Sequence, residues 1–498
     1  MLVVLLFALF VFSCHSLNVL LFVPTLSHSH VAFNTKIAEI LKDDGHQVVM
    51  LLPKIDDSVS GNSSQFEMLH WNVGIPPGHL RKVLWNNPGP YEDASPLNPR
   101  IFVKLLKVSK SFVEACEYMI YDNHTLNFLK SLHFDVGLVE QYDSCGFGIF
   151  KLLGINSTVW LSATGLYRPQ ATSMGVNLPY SYVPELFAHF SDEMSFRQKV
   201  ENVLIGVVTS FVQTNIVQSF QESAFRASGL TEALSSLPEK SSSVLVNSMP
   251  LLDFAMPISH QFSNIAGFTV EKNKENLENY WERIAANSTN GFVLVSFGGI
   301  ARTIDMPRAM LDILFDSFST FSHIKFIMKY EGEAGDHQIP DNVILTPWIP
   351  QLALMGHPNY LAIITHGGWS SILETIIHLR PMILMPLFAD HAKNSKVAES
   401  KGIAIVLDKL QLSRRKVKNA IGRIILDSSF RKNCEKFSRM LLDQPVGHSN
   451  IVAWRIRQAA KRTRKKFARH LKPKRETTSN YFMGFFVCTI AIFKFYKS

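Results

Sequence analysis

Cysteine is scarce. Five occur in 498 residues, at 14, 116, 145, 434 and 488. That excludes a scaffold built on disulfides, and no Cys or His cluster has the spacing of a zinc site. One pair among Cys116, Cys145 and Cys434 could close in an oxidising compartment, but their wide spacing leaves the pairing open. No Asp-X-Asp element is present, so no bound metal is expected. No unbroken apolar run reaches the ~20 residues of a typical membrane-spanning helix. Short-period repeats are absent too. Excess charge is missing from most of the chain. The net charge is +9, yet Lys461 to Arg475 alone holds nine Lys and Arg and no Asp or Glu. The rest is neutral, which excludes a general nucleic-acid surface.

What is present is apolar and two-part. A chain of 498 residues with 47% hydrophobic content can bury more than one core. Residues 1 to 13 are almost wholly apolar and are followed by Cys14-His15-Ser16. This reads as a signal peptide over 1–16. A secretory route gives meaning to four Asn-X-Ser/Thr triplets, at Asn62, Asn123, Asn156 and Asn287. Asn156 precedes an apolar run and is the one expected to be buried. At the other end Ile456, Ala460, Phe467 and Leu471 recur near helical spacing. Residues 456–480 therefore read as a basic amphipathic segment lying on protein or anionic lipid, or as a solvated tail. Tyr481 to Phe493 is a shorter apolar run, and 481–496 is a candidate membrane anchor. Its basic residues mostly precede it, which runs against the positive-inside tendency.

Strand-like and helix-like segments alternate twice. The first series contains Leu17–Val23, a helix over Val31–Lys42 ending at Gly45, Gln47–Leu52, Val136–Val139 and Thr158–Leu161. Residues 53–115 read as irregular, and 165–240 as irregular or helical with many aromatics. The second series is Val244–Asn247, Phe292–Phe297, Ile324–Lys329, Val343–Leu345, Leu361–Thr365 and Met382–Met385. Two βα series imply two doubly wound sheets, with a boundary near 240–265.

Trp348 to Asn394 carries the densest chemistry. Leu361–Thr365 is a buried-strand run, and His366-Gly367-Gly368 leads into a helix from Trp369 to His378. Ligands gather outside the carboxyl ends of such strands, and phosphates favour helix N-termini. His366 offers a cationic or hydrogen-bonding ring at that junction. Gly367 and Gly368 would let the backbone approach a phosphate. Ser370 and Glu374 share a helix face, so one suits phosphate and the other ribose hydroxyls. Trp348 offers a stacking face and Gln351 amide hydrogen bonds. The ordered set fits a nucleotide diphosphate sugar.

This stretch resembles the signature of the UDP-glycosyltransferase family, in its animal UDP-glucuronosyltransferase branch. The resemblance extends over roughly residues 17 to 455. It is strengthened by Ser27-His28-Ser29-His30-Val31, by Phe134-Asp135-Val136 followed by Glu140, and by Val295 to Gly299. It implies an α/β fold of two facing Rossmann-like domains of the GT-B type. Residues 17–250 would bind the acceptor and 251–455 the UDP-sugar. It implies His30 as general base, with His28 as the rival, and Glu140 as its carboxylate partner, with Asp143 as the rival. Relatives mostly have aspartate where Glu140 stands. Ser296, Gly298 and Ser371 would join His366 and Gly368 around the diphosphate. The Gly298-Gly299 pair replaces a common Gly-Ser. Asp390 would hydrogen-bond sugar hydroxyls beside His391, which stands for a usual glutamine, and Asn394 matches a family asparagine. If His391 protonates near pH 6 to 7.5, it would favour a uronate donor.

The implied activity is inverting, metal-independent transfer of glucuronate or glucose to a hydroxyl of a small lipophilic acceptor. The UDP-sugar is a co-substrate, and no cofactor is implied. The expected setting is the lumen of the endoplasmic reticulum, with a membrane partner and compatibility with a homo-oligomer. A non-catalytic UDP-sugar or lipophile binder is the alternative reading. An epimerase or phosphorylase on the same fold is a third.

Overall fold

Alternating βα units with apolar strands build two all-parallel sheets, because crossover helices cover both faces of each. The computed structural model describes residues 16–464, apart from 96–97, 141, 268–276, 334, 336 and 444–445. The expected signal peptide falls almost wholly outside the described residues. So do most of the basic segment and the candidate anchor.

The first sheet has the order β3-β2-β1-β4-β5-β6-β7. Its strands are β1 (Asn18–Phe22), β2 (Gln47–Lys54), β3 (Glu67–Asn72), β4 (Val136–Glu140), β5 (Thr158–Ser162), β6 (Ser243–Val246) and β7 (Phe262–Asn264). The second has the order β10-β9-β8-β11-β12-β13. It comprises β8 (Phe292–Ser296), β9 (Lys325–Lys329), β10 (Val343–Thr346), β11 (Tyr360–Thr365), β12 (Met382–Leu384) and β13 (Ala404–Val406). In each sheet the chain order reverses between two central strands, β1 beside β4 and β8 beside β11. Such switch points open a crevice at the strand carboxyl ends. Glu140 and Ser296 end β4 and β8, and His30 and His366 lie just past β1 and β11.

Three expectations need correction. Val244–Asn247 does not open the second series. The strand Ser243–Val246 pairs with β5, and β7 follows it in the same sheet, so the first sheet extends to Asn264 rather than 250. Periodicity fixes a strand but not its sheet. Residues 53–115 are not irregular throughout. They hold β3, a helix His79–Trp85 and most of a helix Pro99–Tyr121. That second helix is started by Asn98 as N-cap and a proline in its first turn. The third concerns the end of the second domain. Helix His448–Arg464 returns to the first sheet, where Val452, Ile456 and Ala459 are fully buried against its core. Arg457 pairs with Asp44 there. The start of the basic segment therefore lies on protein.

A disulfide joins Cys116 to Cys145, and Cys434 stays buried and free. Among the described residues one helical stretch, Phe196–Ala227, is long and apolar enough to cross a membrane by length and composition. All four sequon asparagines are exposed, Asn156 included, because its side chain turns back to Gly154 and meets Lys151 at the surface.

Candidate active site

Ser27 caps the helix His28–Asp43, its hydroxyl accepting from the His30 amide at 3.4 Å. The cap places His30 in the first turn, directly above the end of β4. His30 Nδ1 lies 3.2 Å from Glu140 Oε1. The Glu140 side chain has no exposed surface and accepts two further hydrogen bonds. Asn34 Nδ2 donates to Oε2 at 2.7 Å, and the Ala163 amide donates to Oε1 at 3.2 Å. A carboxylate with three donors is fixed as an acceptor, so His30 presents Nδ1–H to it and leaves Nε2 as the free lone pair. Tyr142 stacks on the His30 ring at 4.8 Å. The extra methylene of Glu140 is accommodated.

Asp143 is not the partner. Its oxygens accept from the Cys145 amide at 2.9 Å and from Gln221 Nε2 at 2.8 Å. Burial raises its carboxyl to about 6. His28 is exposed, and its ring faces Gly299 of the second domain, close to where a side chain at 299 would begin. Asn34 was missed by sequence reasoning. It sits one helical turn beyond His30, a spacing that could have exposed it.

On the facing domain, His366 directly follows β11, with its Nδ1 3.1 Å from Thr365 Oγ1. Its ring meets His391 edge-on at 4.4 Å. The glycines around it also leave room for protein groups. A Cβ at Gly368 would lie 2.6 Å from His366 Nε2, and one at Gly298 would lie 2.8 Å from Cε1. Both positions are kept bare for the histidine ring. Gly367, with φ of +89°, leaves room for the backbone of His391. Burial, then His391, push the His366 pKa well below the usual imidazole value. His391 falls to about 3 through burial and the nearby Lys409 ammonium. Its Nδ1 faces the Phe388 amide at 3.4 Å, which fits a neutral ring with the proton on Nε2. Burial and Lys409 thus work against protonation of His391 near neutrality.

Helix Trp369–Ile377 begins at Gly368 with no side-chain cap, so its first amides are open beside Ser370 and Ser371. Gln351 Nε2 donates to Glu374 Oε2 at 2.7 Å and lies 3.4 Å from Ser371 Oγ. Burial raises the Glu374 carboxyl, against the opposing pull of Gln351. Trp348 is 71% exposed and offers a free face. Lys329 donates to the Gly298 carbonyl at 2.9 Å. Ser296 ends β8 beside His366. Asp390 precedes helix His391–Ser400, and Asn394 Nδ2 reaches its carboxylate at 2.7 Å and the Gly367 carbonyl at 3.2 Å. Just before it, Ala389 holds φ of +53°, a left-handed value costly for any residue with a side chain. The predicted residues thus form two clusters, His30 with Glu140 on one domain and Trp348 to Asn394 with Ser296 and Gly298 on the other. A separate cavity of about 500 Å³ in the first domain is lined by Asp143, Trp160, Tyr167 and Gln213, among others, and excludes both His30 and Glu140.

Two parallel-sheet domains, each presenting its switch point to a shared cleft, make up the GT-B fold. Forosaminyltransferase SpnP of spinosyn shares that fold, with a TM-score of 0.59 at 14% identity, covering 89% of this chain and 99% of its own. The profile of the UDP-glucoronosyl and UDP-glucosyl transferase family matches residues 18–494, and the chain belongs to that family. Human UDP-glucuronosyltransferase 1A6 is 26% identical over 449 residues, 89% of this chain and 82% of the relative. Human 2-hydroxyacylsphingosine 1-beta-galactosyltransferase is 26% identical over 442 residues, 86% of this chain and 78% of the relative. The protein is a UDP-glycosyltransferase, and its reaction is hexosyl transfer from a UDP-sugar.

Proposed function

We propose inverting, metal-independent transfer of a glucuronosyl or glucosyl group to a hydroxyl of a small lipophilic acceptor, with His30 as general base. The observation that carries this reading is the buried His30–Glu140 contact at the carboxyl end of the first sheet. The acceptor oxygen attacks the anomeric carbon as His30 Nε2 takes its proton. The bond from that carbon to the β-phosphate oxygen breaks, and its electron pair leaves with UDP. Glu140 holds the imidazole tautomer and balances the imidazolium that forms.

On the donor side Trp348 stacks the base, Gln351 and Glu374 read base and ribose, and Ser296, Gly298, His366, Gly368, Ser370 and Ser371 surround the diphosphate. Open amides at the start of helix Trp369–Ile377 meet the charge on departing UDP. Asp390 and His391 hold the sugar. Tyr142 and Phe112, with ring centroids 5.7 Å apart, give the acceptor side an apolar surface near His30. An oxidising endoplasmic reticulum lumen suits the Cys116–Cys145 bond and the exposed Asn62, Asn123, Asn156 and Asn287 as glycosylation sites. Residues 481–496 would tether the chain to the membrane.

The test is mass spectrometry of products from purified protein given UDP-glucuronate and UDP-glucose together with phenolic and steroid acceptors. A sugar conjugate is expected; none with any pair would sink the reading. The ratio of the two conjugates should stay flat from pH 7.5 to 6. His391, with a pKa near 3, gains no proton in that window and brings no charge to bear on a uronate.

A further inference from the structure

A strap over residues 86–91, directly after helix His79–Trp85, crosses from the acceptor domain to the donor domain. Its Tyr91 ring is buried inside the second domain's core, 6.5 Å from the Phe297 ring, and its hydroxyl donates to the Arg302 carbonyl at 3.0 Å. Two lysines, one from each domain, hold this strap through its carbonyls. Lys104, on helix Pro99–Tyr121, donates to the Leu84 and Asn86 carbonyls at 2.8 and 2.7 Å and also to that of Pro88. Lys409, just after β13 in the donor domain, is only 9% exposed. It donates to the Pro90 carbonyl at 2.7 Å and to the Leu387 carbonyl.

Leu387 belongs to the loop Pro386–Asp390. That loop holds Ala389 in the left-handed region, a conformation that persists only when its surroundings impose it. Asn394 fixes the far end of the loop through Asp390. Lys409 fixes the near end, and it does so with the same ammonium that holds the acceptor domain's strap. Burying a lysine is costly unless its donors are met, and burial lowers this one to about 8 despite Asp93, Asp408 and Glu92 nearby. Neither carbonyl carries a formal charge, so the arrangement is a poor device for stability alone.

We propose that Lys409 is a positioning residue for donor-sugar recognition, tying the sugar-contacting loop Pro386–Asp390 to the acceptor domain's strap through the carbonyls of Leu387 and Pro90. The inference rests on the reading that Asp390 contacts the sugar. Sugar affinity then depends on a contact made by the other domain, while UDP, held by Trp348 to Glu374, does not feel it.

The test is calorimetric titration of the full chain with UDP and with UDP-glucuronate or UDP-glucose, whichever donor the wild type uses. Lys409→Met should weaken the UDP-sugar by about tenfold or more, the worth of a charge-assisted hydrogen bond. UDP affinity should stay within about twofold. Parallel weakening of both ligands, or no weakening of either, overturns the proposal. If Lys409→Met does not fold, Lys104→Met carries the test from the acceptor domain. It should loosen the strap and weaken the UDP-sugar but not UDP, and unchanged UDP-sugar affinity there overturns the proposal. Asp390→Asn separates the two levels. If it leaves UDP-sugar affinity intact, the sugar-contact reading itself is wrong. If it weakens the UDP-sugar while Lys409→Met does not, only the strap inference falls.

Discussion

His30→Ala is expected to slow transfer by about 10²–10⁴-fold, the usual worth of a general base, and to leave UDP affinity unchanged. The ring keeps Nε2 free next to the buried Glu140 carboxylate. Glu140 keeps its bonds from Asn34 and Ala163 in the variant, so the local fold should persist. Glu140→Gln should act in the same direction and less severely, since the amide cannot balance an imidazolium. Steady-state turnover alongside UDP titration separates the chemical step from binding. Retained turnover in His30→Ala together with its loss in His28→Ala would move the base to the exposed ring that faces Gly299.

Gly367→Ala is expected to damage the donor domain more than any conservative change in the site. At φ of +89° an L side chain is strained, and the added Cβ would lie 2.5 Å from Ser395 Oγ and 3.0 Å from the His391 carbonyl. Left-handed strain costs roughly 1–2 kcal/mol and overpacking roughly 1–3 kcal/mol, so about 2–5 kcal/mol together. A backbone carbonyl cannot swing aside, so helix His391–Ser400 must shift. The Asn394 bond to Gly367 would go with it, and Asp390 would lose its support. Denaturant unfolding and UDP-sugar titration should both show the loss. Gly422→Ala, in an open helix position with nothing within 4 Å, is the control and should be neutral or slightly stabilising. Equal stability of the two variants would contradict the packing described around Gly367.

Much of this site was legible because its residues sit where periodicity points. The apolar runs of β1 and β11 locate the strand ends, which bring up His28, His30 and His366, while the choice of His30 over His28 rests on the family resemblance. What was not legible depended on burial or on partners distant in sequence. Glu140 and Asp143 lie three residues apart, and only the end of β4 decides which one meets His30 and which one accepts from the Cys145 amide. The charge state of His391 turns on its enclosure by Phe388, His366 and Lys409, none of which its own neighbourhood in the sequence reveals as a shell. That Gly367 and Gly368 also make room for His391, Ser395 and the His366 ring depends on groups brought in by the fold. Ser243–Val246 has the pattern of any buried strand, and its place in the first sheet rests on pairing with β5. The strap around Tyr91 lay in a Pro-, Gly- and Asn-rich stretch with no periodicity to mark it.

The central claim is a single displacement at the anomeric carbon, driven by the His30–Glu140 pair. The most direct measurement is proton NMR of the product formed by the wild-type protein from an α-linked UDP-sugar, read from the anomeric coupling before any mutarotation. The account predicts a β-linked conjugate from the first turnover onward. An α-linked product would contradict it, since that outcome requires either two displacements or attack from the face that UDP leaves.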